Sequence, residues 1–277
     1  MKTIHMIGDY KIMCEESNSV GKFAAYKAYT QKYPQFFQGV FKYLYCQPIE
    51  NLKPMIEQVN FQKLLQAAED NYEAGIVDYA IDSVNKFIKM MEVNFEFTFL
   101  LGQELSNIDG CAGLGATDEP QLYIGIDKSL SKDRLDMLIP HELLHIVRSY
   151  LKKTGNPETV FSRTIEEGLA TYAPLWVHNM KWNIVNVAKT LGVSEKQANN
   201  LMSQTDVLLE KLIIDGDKAI SSETMKEYFT TQTLDEEYPL VGYYVGLYLA
   251  HASVKKGMEF KQISSMPIND IKKIWFS

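Results

Sequence analysis

Apolar residues recur every three or four positions along most of this chain, and every second position in one short stretch only. Val93, Phe95, Phe97, Phe99 and Leu101 alternate with mostly polar neighbours, the period of a half-buried strand. A second short strand is expected from Gln121 to Ile126, after the turn-like Thr117-Asp118-Glu119-Pro120. Upstream, Phe23, Tyr26, Tyr29, Tyr33, Phe36, Phe37 and Phe41 keep helical spacing, interrupted at Pro34. Residues 61–91 predict a further helical stretch, with Gly75 marking a break. From Ser131 onward the pattern is helical to the end. Helices, then a small sheet, then helices predict a mostly helical α+β fold with a mixed or antiparallel sheet, not alternating βαβ units. The expected division is a helical lobe over 1–92 and a region over 93–277 that carries the chemistry.

Charge and cysteine usage narrow the partners. The formal net charge is −7 and there is no basic cluster, so a nucleic-acid partner is not expected. Cys14, Cys46 and Cys111 lie far apart and form no CxxC pair. That pattern fits a reducing compartment, and a cytoplasmic protein is expected. The first ten residues are too short and polar for a signal-peptide core. No run of about 18 apolar residues occurs, so no membrane span is expected.

His141-Glu142-Leu143-Leu144-His145 carries the chemistry. Five histidines and 21 glutamates in 277 residues give about 0.007 chance matches to HExxH, so the match is worth weighing. Leu135, Leu138, Leu144 and Val147 flank it with helical spacing, and Ser131 or Asp133 can cap the start. Residues four apart share a helix face, so both imidazoles can reach one Zn²⁺. Glu142, about 100° round the helix from His141, can reach a water at that ion without ligating it. Pro140 removes one helical hydrogen bond just before the ligands, so the helix either restarts or bends there. A third ligand is expected downstream. Gly155-Asn156-Pro157 signals a turn, and a second helix with Phe161, Ile165, Leu169, Tyr172 and Trp176 on one side follows. A helical hairpin pivoting at Asn156 brings the chain back to the level of His145 near Glu167. That geometry does not separate Glu166 from Glu167, and amphipathicity alone leans slightly to Glu166.

HExxH followed by Glu167-Gly168-Leu169-Ala170-Thr171-Tyr172 resembles the gluzincin metallopeptidases, most closely the bacterial predicted zinc-dependent protease families. The resemblance covers about residues 94–256 and implies a gluzincin-like fold with the small sheet next to the HExxH helix. It selects Glu167 as third ligand, with His141 and His145, for one zinc ion per chain. It makes Gly110 to Leu114 an edge strand, so Cys111, Ala112, Gly113 and Leu114 would hold an extended substrate by β-augmentation. Tyr243-Tyr244-Val245-Gly246 resembles the Tyr-x-x-Gly element, which makes Tyr243 a catalytic residue beside Glu142. The implied activity is cleavage of peptide bonds in a peptide or protein substrate by Glu-assisted attack of a zinc-bound water. An exopeptidase element of the Gly-Ala-Met-Glu-Asn type is missing, which favours an endopeptidase over an aminopeptidase. Residues that orient the histidines are expected around the ion. Thr171 is one candidate, whereas His178 and His251 are expected to be structural. The alternatives are a silent binding or regulatory protein of the same fold, and a zinc hydrolase of a small non-peptide substrate.

Overall fold

The structure, a computed structural model, describes residues 1–102, 111–114, 120–126, 130–151, 158–231 and 237–276. Several sequence readings fall outside those residues: Gly110, the turn at Thr117–Glu119, and the hairpin turn Gly155-Asn156-Pro157. Two compact units are present, Met1–Ser83 with Asn94–Leu135, and Val84–Val93 with Asp136–Ser277. The sheet segments therefore group with the N-terminal helices, unlike a cut at 92/93. Backbone pairing between the first residues of the chain and the strand near residue 100 ties those segments together.

Unit 1 contains α1 (Ile7–Val20), α2 (Lys22–Thr30), α3 (Pro34–Gly39), α4 (Lys53–Gln58), α5 (Phe61–Glu73) and the start of α6 (Ile76–Met91). Pro34 opens α3 in its first turn, where its missing N–H costs nothing. The Asn60 side chain caps α5 by accepting from the Lys63 N–H. Gly75, at φ 70°, separates α5 from α6, which is the expected break. The aromatic residues turn inward. Tyr10, Tyr26, Tyr29, Phe36, Phe37 and Phe61 form one buried cluster, with ring centroids 4.9–6.2 Å apart and mostly edge-to-face, the arrangement that aromatic quadrupoles favour.

The sheet of unit 1 has the order β1-β2-β4-β3, with β1 (Lys2–His5), β2 (Thr98–Gly102), β3 (Cys111–Leu114) and β4 (Gln121–Gly125). β1 and β4 run parallel to β2, and β3 pairs antiparallel with β4. The sheet is thus mixed, and the antiparallel alternative is not what forms. Its second difference from expectation is burial. β2 begins only at Thr98, and Phe99, Leu100 and Leu101 are all buried. Lying between two parallel neighbours, it is covered on both faces, which removes the alternation of a half-buried strand. Periodicity did not reveal β1, because four residues are too few to define a period.

Unit 2 is helical among the described residues. It contains the end of α6 and most of α7 (Lys132–Tyr150). There follow α8 (Val160–Val177), α9 (Ile184–Leu191), α10 (Glu195–Ser203), α11 (Thr205–Asp215), α12 (Ser222–Tyr228), α13 (Val241–Lys255), α14 (Phe260–Ser264) and α15 (Ile268–Phe276). α7 starts where Ser131 Oγ accepts from the Arg134 N–H. α8 starts at a reciprocal capping box between Thr159 and Ser162. α8 is buried on nearly every side and packs along α13. No helix among the described residues is long and apolar enough to cross a membrane.

Candidate metal centre

α7 runs unbroken through Pro140. The proline nitrogen cannot donate to the Asp136 carbonyl four residues back. His178 pairs with Asp136 there, its Nε2 3.6 Å from Asp136 Oδ1. The helix therefore does not restart at Pro140, and His178 has a structural partner. Beyond Pro140, Leu143, Leu144, Ile146, Val147 and Arg148 are buried. The half-exposed positions Leu138, His141, Glu142, His145 and Ser149 follow helical spacing, so one open stripe on α7 carries the three functional side chains of the HExxH segment.

The third group comes from α8, and two glycines set its place. A Cβ on Gly168 would lie 2.3 Å from the Gly246 backbone of α13, and one on Gly246 would lie 2.2 Å from the Thr164 carbonyl oxygen. Only hydrogen fits in either position, so the helices meet there backbone to backbone. Gly168 follows Glu167, and Gly246 is one turn after Tyr243. The contact thus brings the carboxylate and the phenol to one place.

Side-chain partners separate the two adjacent glutamates. Glu166 accepts a bidentate pair of hydrogen bonds from Arg148, Nε to Oε2 at 2.8 Å and Nη2 to Oε1 at 2.6 Å. Arg148 is fully buried, and its Nη1 also donates to the carbonyls of Ser264 (2.6 Å) and Met266 (3.3 Å). Glu167 turns the other way, with Oε2 3.6 Å from His141 Nε2 and 3.3 Å from His145 Nε2. The two Nε2 atoms are 3.2 Å apart. His141, His145 and Glu167 thus form a group able to hold a metal ion.

The spacing fits a small tetrahedral cation. Ligands about 2.0–2.1 Å from Zn²⁺ stand about 3.3 Å from one another, close to the three observed separations. The circle through the three atoms has a radius of about 2.0 Å, so one ion can reach all of them at bonding distance. Electrostatics agree. Burial resists charge on both His145 and Glu167, but mutual attraction overcomes it. The imidazole is pushed up to about 9, and the carboxyl is held well below the usual range. Glu142 and Glu166 add to the first effect. The charges of the imidazole and the carboxylate thus stabilise each other across the 3.3 Å that separates them.

Tyr243 lies against the triad. Its ring is nearly parallel to that of His141, 6.4 Å away, and its hydroxyl feels the Glu167 charge. Burial and then the Glu167 charge push the phenol well above its ordinary range. Neighbouring tyrosines point elsewhere: Tyr244 bonds Thr205 Oγ1 at 2.5 Å, and Tyr248 faces Trp182. The Glu142 charge is felt at both His145 and Tyr243, while Glu142 stays outside the ligand group. Thr171 donates to the Glu167 backbone carbonyl at 2.7 Å. It therefore serves its own helix and does not orient a histidine. His251 stacks on Trp182 with centroids 4.3 Å apart, away from the triad. Cys111, Ala112, Gly113 and Leu114 form β3, an edge strand of unit 1.

Arg148 and Arg163 escaped sequence reasoning. Arg163 lies one turn before Glu167 and pairs with it, Nη2 to Oε1 at 3.5 Å. An i, i+4 charge pair is a readable signal. Arg148 gave only a weak one, a cation three residues after His145 that follows the apolar Ile146 and Val147. Comparisons with protein-family models, curated proteins and solved structures return no match, so the gluzincin resemblance rests on the motif residues.

Proposed function

We propose that this chain is a zinc-dependent hydrolase that cleaves peptide bonds, and an endopeptidase rather than an aminopeptidase. The observation that carries the reading is the triad. Two imidazole nitrogens from the open stripe of α7 and one carboxylate oxygen from the buried α8 stand 3.2–3.6 Å apart, with Glu142 outside that group. His141, His145 and Glu167 would hold the ion. When bound, zinc supplies Lewis acidity, polarising a carbonyl and making a water easier to deprotonate. Glu142 would accept the water proton on its carboxylate and pass it to the leaving amine. The Tyr243 hydroxyl would donate a hydrogen bond to the oxygen on which negative charge develops. A site that only stored metal would need no base beside its ligands and would be closed by a fourth protein ligand.

Purified protein should carry about one zinc per chain, and His145→Ala should remove it. Glu142→Gln should keep the metal and lose turnover of a mixed peptide library, because an amide cannot take the proton. Zinc retention without turnover in the wild type would sink the peptidase assignment and leave the metal site standing. Tyr243→Phe should lower kcat by about 10²–10³-fold at nearly unchanged peptide affinity.

A further inference from the structure

We propose that Arg163 is a positioning residue for the metal centre, holding Oε1 of Glu167 so that only Oε2 is presented to the ion. This rests on the metal reading of the triad. The two oxygens of Glu167 have different surroundings: Oε2 faces the Nε2 atoms of both histidines, and Oε1 faces Arg163 Nη2 at 3.5 Å. Arg163 is fixed in turn. Its Nη1 donates to Glu158 Oε1 at 2.7 Å, and its guanidinium lies over the Phe229 ring, 5.5 Å from the centroid. Phe229 meets the Tyr243 ring edge-on at 6.1 Å, so one chain of contacts braces both the carboxylate and the phenol.

Two observations argue against simple packing. Arg163 Nε is buried with no hydrogen-bond partner among the described residues. A guanidinium selected for stability alone would satisfy that donor. The histidines meet each other and Glu167 through Nε2, and Arg163 reaches the triad through the other oxygen of Glu167. A carboxylate with both oxygens free can bind an ion through both. With one oxygen held by a cation it binds through the other, which keeps the coordination number low. Groups that orient a ligand from behind change metal affinity when removed.

The test uses the full chain with Arg163→Met, which keeps an unbranched side chain of similar length without the charge, and Arg163→Lys, which restores the charge. Zn²⁺ affinity is measured by competition with a chromogenic chelator, and Co²⁺-loaded protein is examined by visible absorption. Arg163→Met should weaken Zn²⁺ binding by about 10–100-fold. It should also dim the Co²⁺ d–d bands, whose intensity drops as coordination number rises, and Arg163→Lys should reverse both changes in large part. Wild-type affinity and spectrum in Arg163→Met would overturn the proposal. So would equal weakening in both variants with an unchanged Co²⁺ spectrum, which is the mark of general packing. If Arg163→Met does not fold, Arg163→Gln makes the same comparison. Absence of Zn²⁺ binding in the wild type would instead overturn the metal reading and this inference with it.

Discussion

The core of unit 1 is rich in rings, whereas in unit 2 two residues with no side chain let α8 and α13 meet backbone to backbone. In unit 1, Phe37 alone meets Tyr26, Tyr29, Phe36 and Phe41. In unit 2, Gly168 and Gly246 let α8 and α13 touch. Charge is handled differently as well. Unit 1 keeps Asp9 and Lys32 at a half-exposed rim, while unit 2 encloses Arg148 completely. The contrast has a packing reason. A core of rings needs only volume and tolerates several arrangements. A centre that gathers ligands from two helices within 3.6 Å of one another needs close approach and a single register, and glycine and a buried ion pair supply these.

The comparison can be broken by substitutions in either unit, taken here from the largest expected effect. Phe37→Ala deletes a ring from the aromatic cluster and should cost about 4 kcal/mol in urea unfolding. The Zn²⁺ affinity of the remaining folded protein should not change; a parallel loss of metal affinity would mean that the units are not independent in this respect. Arg148→Met leaves Glu166 without its partner and should cost about 3 kcal/mol. Adding Glu166→Leu should return much of that stability, because a buried ion pair is often replaceable by apolar groups. Zn²⁺ affinity should stay reduced in the double variant if the pair sets the register of α8 on α7. Full recovery of both would reduce the pair to a stabilising contact.

Gly168→Ala adds one methyl where none fits and should cost about 2 kcal/mol, with a clear loss of Zn²⁺ affinity. In α1 of unit 1, Gly8→Ala meets open space, so it should be neutral or stabilising by about 0.5–1 kcal/mol. Matching effects at the two glycines would remove the distinction drawn between the units. Smallest is Asp9→Asn. Hydrogen bonds from Lys32 and then Tyr33 hold the Asp9 carboxyl below its ordinary value of 3.8. Its contribution is therefore complete above that pH and lost as pH falls through the lower folded value. Solvent screening limits it to about 0.5 kcal/mol. Wild type and Asp9→Asn should thus differ slightly in thermal midpoint at pH 7 and converge in acid; a gap that widened below pH 3.8 would contradict the assignment.

Local pattern was enough for the helices, the break at Gly75 and the face shared by His141 and His145, because each depends on residues within a few turns of one another. It also brought the third ligand to Glu166 or Glu167, since a helical return has a predictable length. The Glu167-Gly168-Leu169-Ala170 resemblance selected Glu167, but the physical reason for that choice is not local. It depends on Arg148 occupying Glu166 and on Gly168 meeting Gly246, contacts made by residues 18 and 78 positions apart in sequence. The strand at Lys2–His5 and the two-sided burial of β2 were hidden for the same reason, as their pairing partners lie about 96 and 23 residues away. Arg163 shows the boundary most clearly: its spacing to Glu167 is local, but its support from Phe229 and Glu158 appears only in the folded chain. Periodicity records which side of an element is apolar. Which of two neighbouring side chains meets a given partner is decided by packing between elements.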